Sequence, residues 1–153
     1  MIGLLQRVSS AQVSINSHTV ASIEAGLLVL IGVEKSDTQR QADRLLNKIL
    51  GYRVFPDQDD KMNLSLSDIQ GGLLFVPQFT LPADTKKGLR PSFSSAATPK
   101  LGENLFDYLV SCAKQRHDIV KAGKFGADMQ VSLINDGLVT FWLQIPPNAE
   151  TKR

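Results

Sequence analysis

The sequence predicts a single α/β domain with curved sheets and with helices packed on one side. The length of 153 residues is sufficient for one domain with a substantial core. Hydrophobic residues make up 42% and charged residues 21%, as in ordinary globular proteins. Strand-like segments are mixed along the chain with two main helix-like segments, which is typical of an α/β arrangement. No repeat or linker interrupts residues 1–147, which we expect to form the domain, and residues 148–153 are expected to form a flexible tail.

The first part of the chain is predicted to be rich in strands. Residues 2–15 alternate imperfectly between apolar and polar side chains, which indicates one or two strands. After a turn at residues 16–18, residues 19–23 are expected to return as another strand. Residues 27–33 are apolar on both faces, so this strand is predicted to be central and covered on both sides.

A helix with a recognisable start is predicted to follow. Asp37 or Thr38 can cap it, and Thr38 with Gln41 fits a capping box. Residues 56–60, beyond the helix, form an acidic segment that superficially resembles a calcium-binding loop. It lacks the spaced ligands and the central glycine of such a loop, so we expect a turn-rich loop without a bound metal. The buried face of the helix is expected to carry Ala42, Leu45, Leu46, Ile49 and Leu50.

The middle of the chain is predicted to contain a buried strand, a long loop and a second helix. The strand covers residues 73–76, and the loop covers residues 82–97, a length that usually marks a functional or disordered segment. Thr98 can cap the second helix, with Pro99 at its first position. Cys112 is expected to be a small core residue rather than a nucleophile, because it continues the buried stripe of this helix. The other members of that stripe are Leu101, Leu105, Tyr108 and Leu109.

The last part of the chain is predicted to form a hairpin. Residues 135–137, with the sequence Asn-Asp-Gly, have the chemistry of a tight turn. Alternating apolar residues define the strand before this turn, namely Met129, Val131 and Leu133. The returning strand is expected to carry its apolar side chains at Val139, Phe141, Leu143 and Ile145.

Charge and cysteine content give broader expectations. The net charge of +2 is too small for binding nucleic acid through bulk electrostatics, but Lys86, Lys87 and Arg90 fall in one loop and Lys121 and Lys124 in another. These basic residues either contact phosphates or form a solvated surface. The chain has a single cysteine, which fits a reducing cytoplasm. We expect no signal peptide and no membrane-spanning segment.

The usual hydrolytic machinery is missing from any recognisable context. Neither His18, in a predicted turn, nor His117, just past a predicted helix, lies in a motif with a candidate nucleophile. No His, Cys or carboxylate cluster has metal-ligand spacing, and no phosphate-binding loop is present, so we expect no metal and no cofactor.

Polar residues instead stand at the end of a predicted buried strand. Gln78 and Thr80 are expected to share one strand face, with Phe79 on the other. Buried Gln and Thr side chains need hydrogen-bond partners, which neighbouring backbone could also supply. Without an adjacent base, the Thr80 hydroxyl is a weak nucleophile, but it can position another group.

Short motifs recur in a specific order and spacing through nearly the whole chain. They include Gln6-Arg7-Val8, Gln78-Phe79-Thr80-Leu81, Lys87-Gly88-Leu89-Arg90-Pro91-Ser92-Phe93 and Phe125-Gly126-Ala127-Asp128-Met129-Gln130-Val131. Through these motifs the sequence resembles the D-aminoacyl-tRNA deacylase family, also known as the D-tyrosyl-tRNA deacylases. The resemblance implies a barrel-like, deacylase-type fold and a cytoplasmic homodimeric hydrolase, with residues 1–147 as its catalytic domain. Such an enzyme cleaves the ester between a D-amino acid, or glycine, and the 3′ end of tRNA.

The resemblance also implies roles for individual residues. Gln78, Phe79 and Thr80 line the pocket for the terminal adenosine and the ester, where the 2′-hydroxyl of the substrate assists hydrolysis. The segment around Gly137 and Leu138 enters the site of the other subunit, its backbone carbonyls grip the amino group, and Arg7 supports it. The further substrate-binding residues implied are Pro77, Met129, Asn135 and Thr140, and the tRNA-binding residues are Lys86, Lys87 and Arg90. The implied partner is aminoacyl-tRNA, with neither DNA nor a membrane.

Two positions depart from the family pattern. Pro77 stands where the family usually has Ser, which removes a hydroxyl and a backbone donor. Leu138 stands where the family usually has a Pro whose peptide bond is cis, and the Gly137–Leu138 bond is therefore expected to be trans. Discrimination between D and L esters is the property expected to weaken.

Three functional hypotheses remain open from the sequence. The favoured one is an active D-aminoacyl-tRNA deacylase that tolerates both departures. The second is a related aminoacyl-tRNA esterase with altered chirality selectivity. The third is a non-catalytic dimer that binds the end of tRNA.

Overall fold

The computed structural model describes residues 1–147, which form one α/β domain with a nearly closed, barrel-like sheet. The predicted tail, residues 148–153, lies outside the described residues. The strands are β1 Ile2–Ile15, β2 His18–Ile23, β3 Gly26–Gly32, β4 Phe55–Pro56, β5 Met62–Leu64, β6 Gly72–Pro77, β7 Val120–Ala122 and β8 Gln130–Gln144. The helices are α1 Gln39–Gly51, α2 Leu66–Ile69 and α3 Pro99–Arg116.

The main sheet joins a parallel half to an antiparallel half. Its order is β2-β1-β3-β6-β7, with β8 paired to β1. Strands β3, β6 and β7 run parallel, while β1 is antiparallel to β2, β3 and β8. Because β1 is a single strand of 14 residues, its first half pairs with β3, its second half pairs with β2, and β8 follows it on the other side. Strands β4 and β5 form a separate small sheet.

The sheet is apolar on both faces. On one face, Leu27 and Val29 of β3 and Phe75 of β6 pack with buried residues of α1 and α3. On the other face, Leu28 of β3 and Leu74 of β6 pack with residues from β1 and β2 inside the curve of the sheet. The prediction that residues 27–33 form a central strand covered on both sides is therefore confirmed.

Both main helices begin where their caps predict. Thr38 and Gln41 form a capping box at α1, and its five predicted apolar residues are all buried. The Thr98 side chain accepts a hydrogen bond from the backbone of Leu101 at the start of α3. The predicted stripe of α3 is only partly buried. Leu105 and Leu109 are buried, whereas Leu101, Tyr108 and Cys112 are half-buried against the core.

The predicted hairpin at residues 135–137 is wrong. Residues 130–144 form one continuous strand, β8, and both of its halves pair with β1 rather than with each other. Val8 pairs with Asn135, and Gln6 pairs with Thr140, so residues 136–139 all stand opposite Arg7. We call residues 136–139 the β8 bulge. The alternation of apolar and polar residues on either side of the turn sequence correctly indicates strands. It does not reveal which strand each of them pairs with, so a hairpin was predicted.

The predicted strand geometry of Gln78 and Thr80 is also wrong. Strand β6 ends at Pro77, and Thr80 lies in a turn closed by a hydrogen bond from the Leu81 amide to the Gln78 carbonyl. The alternation of side chains between two faces therefore does not extend past Pro77.

Candidate active site

A cavity of about 470 Å³ opens at the carboxyl ends of two parallel strands, β3 and β6. Ligand sites in α/β sheets commonly occupy this position. The start of α3 and the segment between β7 and β8 complete its walls. The lining residues are Ile31, Val33, Pro77, Gln78, Phe79, Phe93, Ala96, Ala97, Thr98, Pro99, Gly102, Phe106, Phe125, Gly126, Ala127 and Met129.

The described lining is mostly apolar and contains no titratable side chain. One wall depends on a small residue, because a Cβ at Gly102 would lie 3.1 Å from the ring of Phe125. A second wall is tied to the sheet by a hydrogen bond from the Ala97 amide to the Val33 carbonyl. A cavity built in this way can hold and orient a ligand, but its lining supplies no general acid or base.

The mouth of the cavity carries its polar groups and two exposed aromatic rings. The backbone amide of Gln78 donates to the Ile31 carbonyl at 2.8 Å, and the Gln78 side-chain amide donates to the Thr80 hydroxyl at 2.6 Å. Phe79 is 67% exposed, and its ring centre lies 5.5 Å from that of Phe93, which is 44% exposed. The Thr80 hydroxyl is exposed and does not line the cavity itself.

The β8 bulge is held in shape by Arg7 and Asn135. The Arg7 guanidinium donates to the carbonyls of Val54 at 2.7 Å and Asp136 at 3.2 Å. The Asn135 side-chain amide donates to the carbonyls of Arg7 at 3.1 Å and Val139 at 3.0 Å, which closes the neck of the bulge. The Arg7 Nε atom also lies 3.5 Å from the Asp136 carboxylate.

The tip of the bulge has an unusual backbone. Gly137 has a φ of 69°, and Leu138 has a φ of 57°, although an L residue with a bulky side chain rarely adopts such angles. The bond between them is trans, as the sequence predicted, since no cis peptide bond occurs in residues 1–147. Leu138 is 92% exposed.

The predicted site residues therefore form two clusters within one chain. Pro77, Gln78, Phe79 and Met129 line the cavity, and Thr80 lies beside it. The second cluster is the β8 bulge with its neighbours, namely Arg7, Asn135, Gly137, Leu138 and Thr140. No member of the second cluster lines the cavity.

The predicted basic residues Lys86, Lys87 and Arg90 lie together in the long loop and are all exposed. The base of this loop is closed by two backbone hydrogen bonds between Asp84 and Ser92, of 2.7 and 2.9 Å. The loop therefore forms an ordered structure that presents its positive charges to solvent.

Sequence reasoning missed several lining residues. Phe93 follows the basic part of the long loop, and Phe106 was not part of the predicted stripe of α3. Gly102 offered the one usable signal, because a glycine inside a helix often marks a close packing contact.

Three further observations concern metal binding, membrane-spanning helices and His117. Within residues 1–147, no group of three or more His, Cys, Asp or Glu side chains could hold a metal ion. In the same residues, none of the helices has the length and hydropathy needed to cross a membrane. His117 is buried, with its Nε2 atom 2.6 Å from the Gly71 carbonyl, and it lies outside the cavity lining.

Comparison with solved structures defines the class of protein. The fold matches a protein described as a c-Myc DNA unwinding element binding protein, with a TM-score of 0.92, 36% identity and coverage of 95% of this chain and 99% of that one. It also matches a probable eukaryotic D-amino acid tRNA deacylase with a TM-score of 0.82, at 17% identity over 94% of this chain and 98% of that one. The chain is thus an α/β domain with the deacylase fold.

Sequence comparison identifies the particular family. The family model for D-Tyr-tRNA(Tyr) deacylase matches residues 4–144. The D-aminoacyl-tRNA deacylase of Pseudomonas fluorescens strain Pf0-1 is 64% identical over 94% of this chain and 99% of that protein. The D-aminoacyl-tRNA deacylase of Thioalkalivibrio sulfidiphilus is 61% identical over 96% of this chain and 99% of that protein. The chain belongs to the D-Tyr-tRNA(Tyr) deacylase family.

Proposed function

We propose that this protein is a hydrolase that cleaves the ester bond of D-aminoacyl-tRNA, and also that of glycyl-tRNA. The observation that carries the proposal is the open cavity beside Gln78 and Phe79, in a chain of this family, with no titratable group in its described lining. Such a cavity suits a reaction in which orientation of the substrate is the main contribution of the protein. This activity would recycle tRNA and keep D-amino acids out of translation.

In the proposed mechanism, the cavity holds the terminal adenosine and places the ester next to Gln78 and Thr80. The 2′-hydroxyl of the terminal ribose assists a water molecule that attacks the carbonyl carbon. The bond between that carbon and the ribose 3′-oxygen breaks, and the 3′-oxygen takes up a proton. Orientation alone can lower a barrier by roughly 7–11 kcal/mol in favourable intramolecular reactions. No cofactor or metal is part of this mechanism.

We further propose that the active site is complete only in a homodimer. The β8 bulge of one copy would enter the cavity mouth of the other, where the Gly137 carbonyl would grip the amino group of the substrate. Asn135, Thr140 and Arg7 would hold the bulge, while Pro77 and Met129 would shape the receiving cavity. The support within one chain is that the bulge projects from the sheet and does not line its own cavity.

Two features of the single chain favour a partner along β8. In the described residues this strand of 15 residues pairs only with β1, and long unpaired edges are normally covered in native proteins. Trp142 and Ile134 of β8 are 52% and 61% exposed.

Lys86, Lys87 and Arg90 are proposed to contact the phosphates of tRNA, because they form an exposed basic group on an ordered loop that also contributes Phe93 to the cavity. The proposed partner is aminoacyl-tRNA, with no role for DNA or a membrane. The proposed location is the cytoplasm, where aminoacyl-tRNA is used.

Purified protein incubated with D-Tyr-tRNA, Gly-tRNA and L-Tyr-tRNA tests the proposal. We expect release of D-Tyr and Gly, and the ratio of D-Tyr to L-Tyr release measures the chiral selectivity that Leu138 is expected to weaken. Faster hydrolysis of L-Tyr-tRNA than of D-Tyr-tRNA would instead favour an esterase of altered chirality. Binding of tRNA without hydrolysis of any ester would favour the non-catalytic dimer.

A further inference from the structure

The amino group of Met1 is buried in a polar site where β1 begins between the ends of β3 and β8. Its nitrogen lies 2.7 Å from the Asp37 carboxylate, 2.8 Å from the Glu34 carboxylate and 2.7 Å from the Ile145 carbonyl. The side chains of Met1 and Asp37 are both fully buried. The Met1 carbonyl accepts a hydrogen bond from the Ile145 amide. The amino group therefore lies inside the domain.

The two carboxylates of this site are oriented by hydrogen bonds of their own. The second oxygen of Asp37 accepts from the Glu34 backbone amide at 2.7 Å, and the second oxygen of Glu34 accepts from the Gln144 side chain at 3.1 Å. Each carboxylate is thereby held with its remaining oxygen towards the Met1 nitrogen. Glu34 also forms a β-bridge with Ala96, which lines the cavity, so the site adjoins a cavity wall.

Three acceptors around one nitrogen define its chemical state. An ammonium group has three N–H donors, one for each acceptor. A Met1 nitrogen that carries a formyl or acetyl group is an amide with a single N–H, so at least two acceptors would lose their donor. The amide is also neutral, and Asp37 and Glu34 would lose the positive charge that pairs with them. Removing one partner of a buried ion pair is strongly destabilising.

We propose that the protein needs a free, charged α-amino group on Met1, and that removal of an N-formyl group is therefore a required step in its maturation. This inference goes beyond the proposed function and does not depend on it. In the hydrolysis that produces the amine, water adds to the formyl carbon and the bond from this carbon to the Met1 nitrogen breaks. Formate leaves, and the amine takes up a proton. A hydrolase of N-formylmethionyl chains must act before the start of β1 is buried.

Three modified proteins test the requirement. One carries an N-formyl group, from cells in which deformylation is inhibited, and one carries Gly-Ser before Met1, left by proteolytic removal of a tag. The matched control carries Gly-Ser at the other end of the chain. The thermal unfolding midpoint of the first two is expected to fall by about 10 °C relative to the unmodified protein. The control is expected to unfold with the unmodified protein. If the formylated protein unfolds at the same temperature as the control, the inference is overturned.

A double-mutant cycle separates loss of the ion pair from crowding by the added atoms. Asp37→Asn removes the charge of the buried carboxylate and nearly keeps its shape. In the unmodified protein it is expected to lower the unfolding midpoint, because the ammonium loses a partner. In the formylated protein the carboxylate is already unpaired, so the same substitution is expected to leave the midpoint unchanged or raise it. Equal decreases in both proteins would show that the charge on Met1 does not stabilise Asp37, which overturns the inference.

Discussion

At the scale of the residue, Arg7 shows how one side chain shapes the bulge. Its planar guanidinium reaches the Val54 carbonyl with one nitrogen and the Asp136 carbonyl with another. Lysine could not reproduce this arrangement, because its donors are concentrated on a single atom. Arg7 and Asp136 are 129 residues apart, so no spacing rule could connect them, and only the family resemblance pointed to the contact.

Thr80 is expected to act by positioning and not as a covalent nucleophile. Its hydroxyl accepts a hydrogen bond from Gln78, and no titratable side chain belongs to the described lining beside it. Thr80→Ala should therefore keep measurable hydrolysis of D-Tyr-tRNA. The loss of kcat/KM should be roughly 2- to 10-fold, which corresponds to one hydrogen bond of about 0.5–1.5 kcal/mol. Thr80→Ser is the control and should retain nearly full activity.

Detection of an acyl group on Thr80, by mass spectrometry of protein quenched during turnover, would contradict this assignment. A complete loss of activity in the alanine variant, with normal activity in the serine variant, would contradict the expected small loss and would show that the hydroxyl contributes more than one hydrogen bond. Only the acyl group would show that the hydroxyl takes part in bond formation.

The residues of the cavity were only partly predictable from the sequence. Gln78 could be noticed because it is a polar residue directly after the apolar run of β6, whereas Phe79 was assigned to the site through the family resemblance. Phe93 and Phe106 carry no comparable signal, since an aromatic residue in a loop or on a helix is most often ordinary packing. Their convergence depends on how α3 and the long loop lie across the sheet, which is a tertiary property.

At the scale of the element, the caps and the buried strands followed local rules, whereas β8 did not. Helix caps and buried apolar strands depend on residues that are close in sequence. The caps at Thr38 and Thr98 and the buried strand β3 are therefore present as predicted. The Asn-Asp-Gly sequence has the local signature of a hairpin, but β1 is long enough to pair with residues on both sides of it. Long-range pairing with β1 therefore overrode the local turn signal and left a bulge.

Gly137→Ala is expected to destabilise the bulge for two reasons. Its φ of 69° is strained for alanine, and the new Cβ would lie 2.5 Å from the Arg7 Nη2 atom. Gly88→Ala is the matched control, because Gly88 has a φ of 65° and a Cβ there would meet nothing within 4 Å. The control should lose roughly 1–2 kcal/mol of unfolding free energy from the backbone term alone. Gly137→Ala should lose about 1 kcal/mol more for each Arg7 hydrogen bond that is displaced.

Urea unfolding of the two variants and wild type measures this difference. Equal losses in both variants would mean that Arg7 moves aside without cost, and the clamp would not stabilise the bulge. Deacylation of D-Tyr-tRNA should fall in Gly137→Ala, because this substitution changes the bulge.

At the scale of the whole molecule, the two halves of the sheet carry different parts of the proposed active site. The parallel half opens the cavity at its carboxyl edge, and the antiparallel half carries the bulge between β1 and β8. The two do not meet in one chain, so a second copy is the simplest way to bring them together. The net charge of +2 adds little long-range attraction for tRNA, and binding must therefore depend on where the basic residues lie.

The basic loop provides the test of this view of tRNA binding. The triple variant Lys86→Ala/Lys87→Ala/Arg90→Ala should weaken tRNA binding and reduce the slope of log affinity against log salt by roughly 2–3, because each neutralised phosphate contact contributes about 0.7–0.9. The outcome is compared with a charge-matched control.

The control variant is Arg40→Ala/Lys48→Ala/Lys61→Ala, which removes three exposed positive charges elsewhere. Both variants lose three positive charges, so the net charge changes from +2 to −1 in each. The affinity of each variant for tRNA is measured between about 50 and 200 mM salt, where counterion release strongly changes the affinity. The comparison separates the effect of local phosphate contacts from the effect of overall charge. If the two slopes change equally, the overall field attracts tRNA and the loop is a solvated surface.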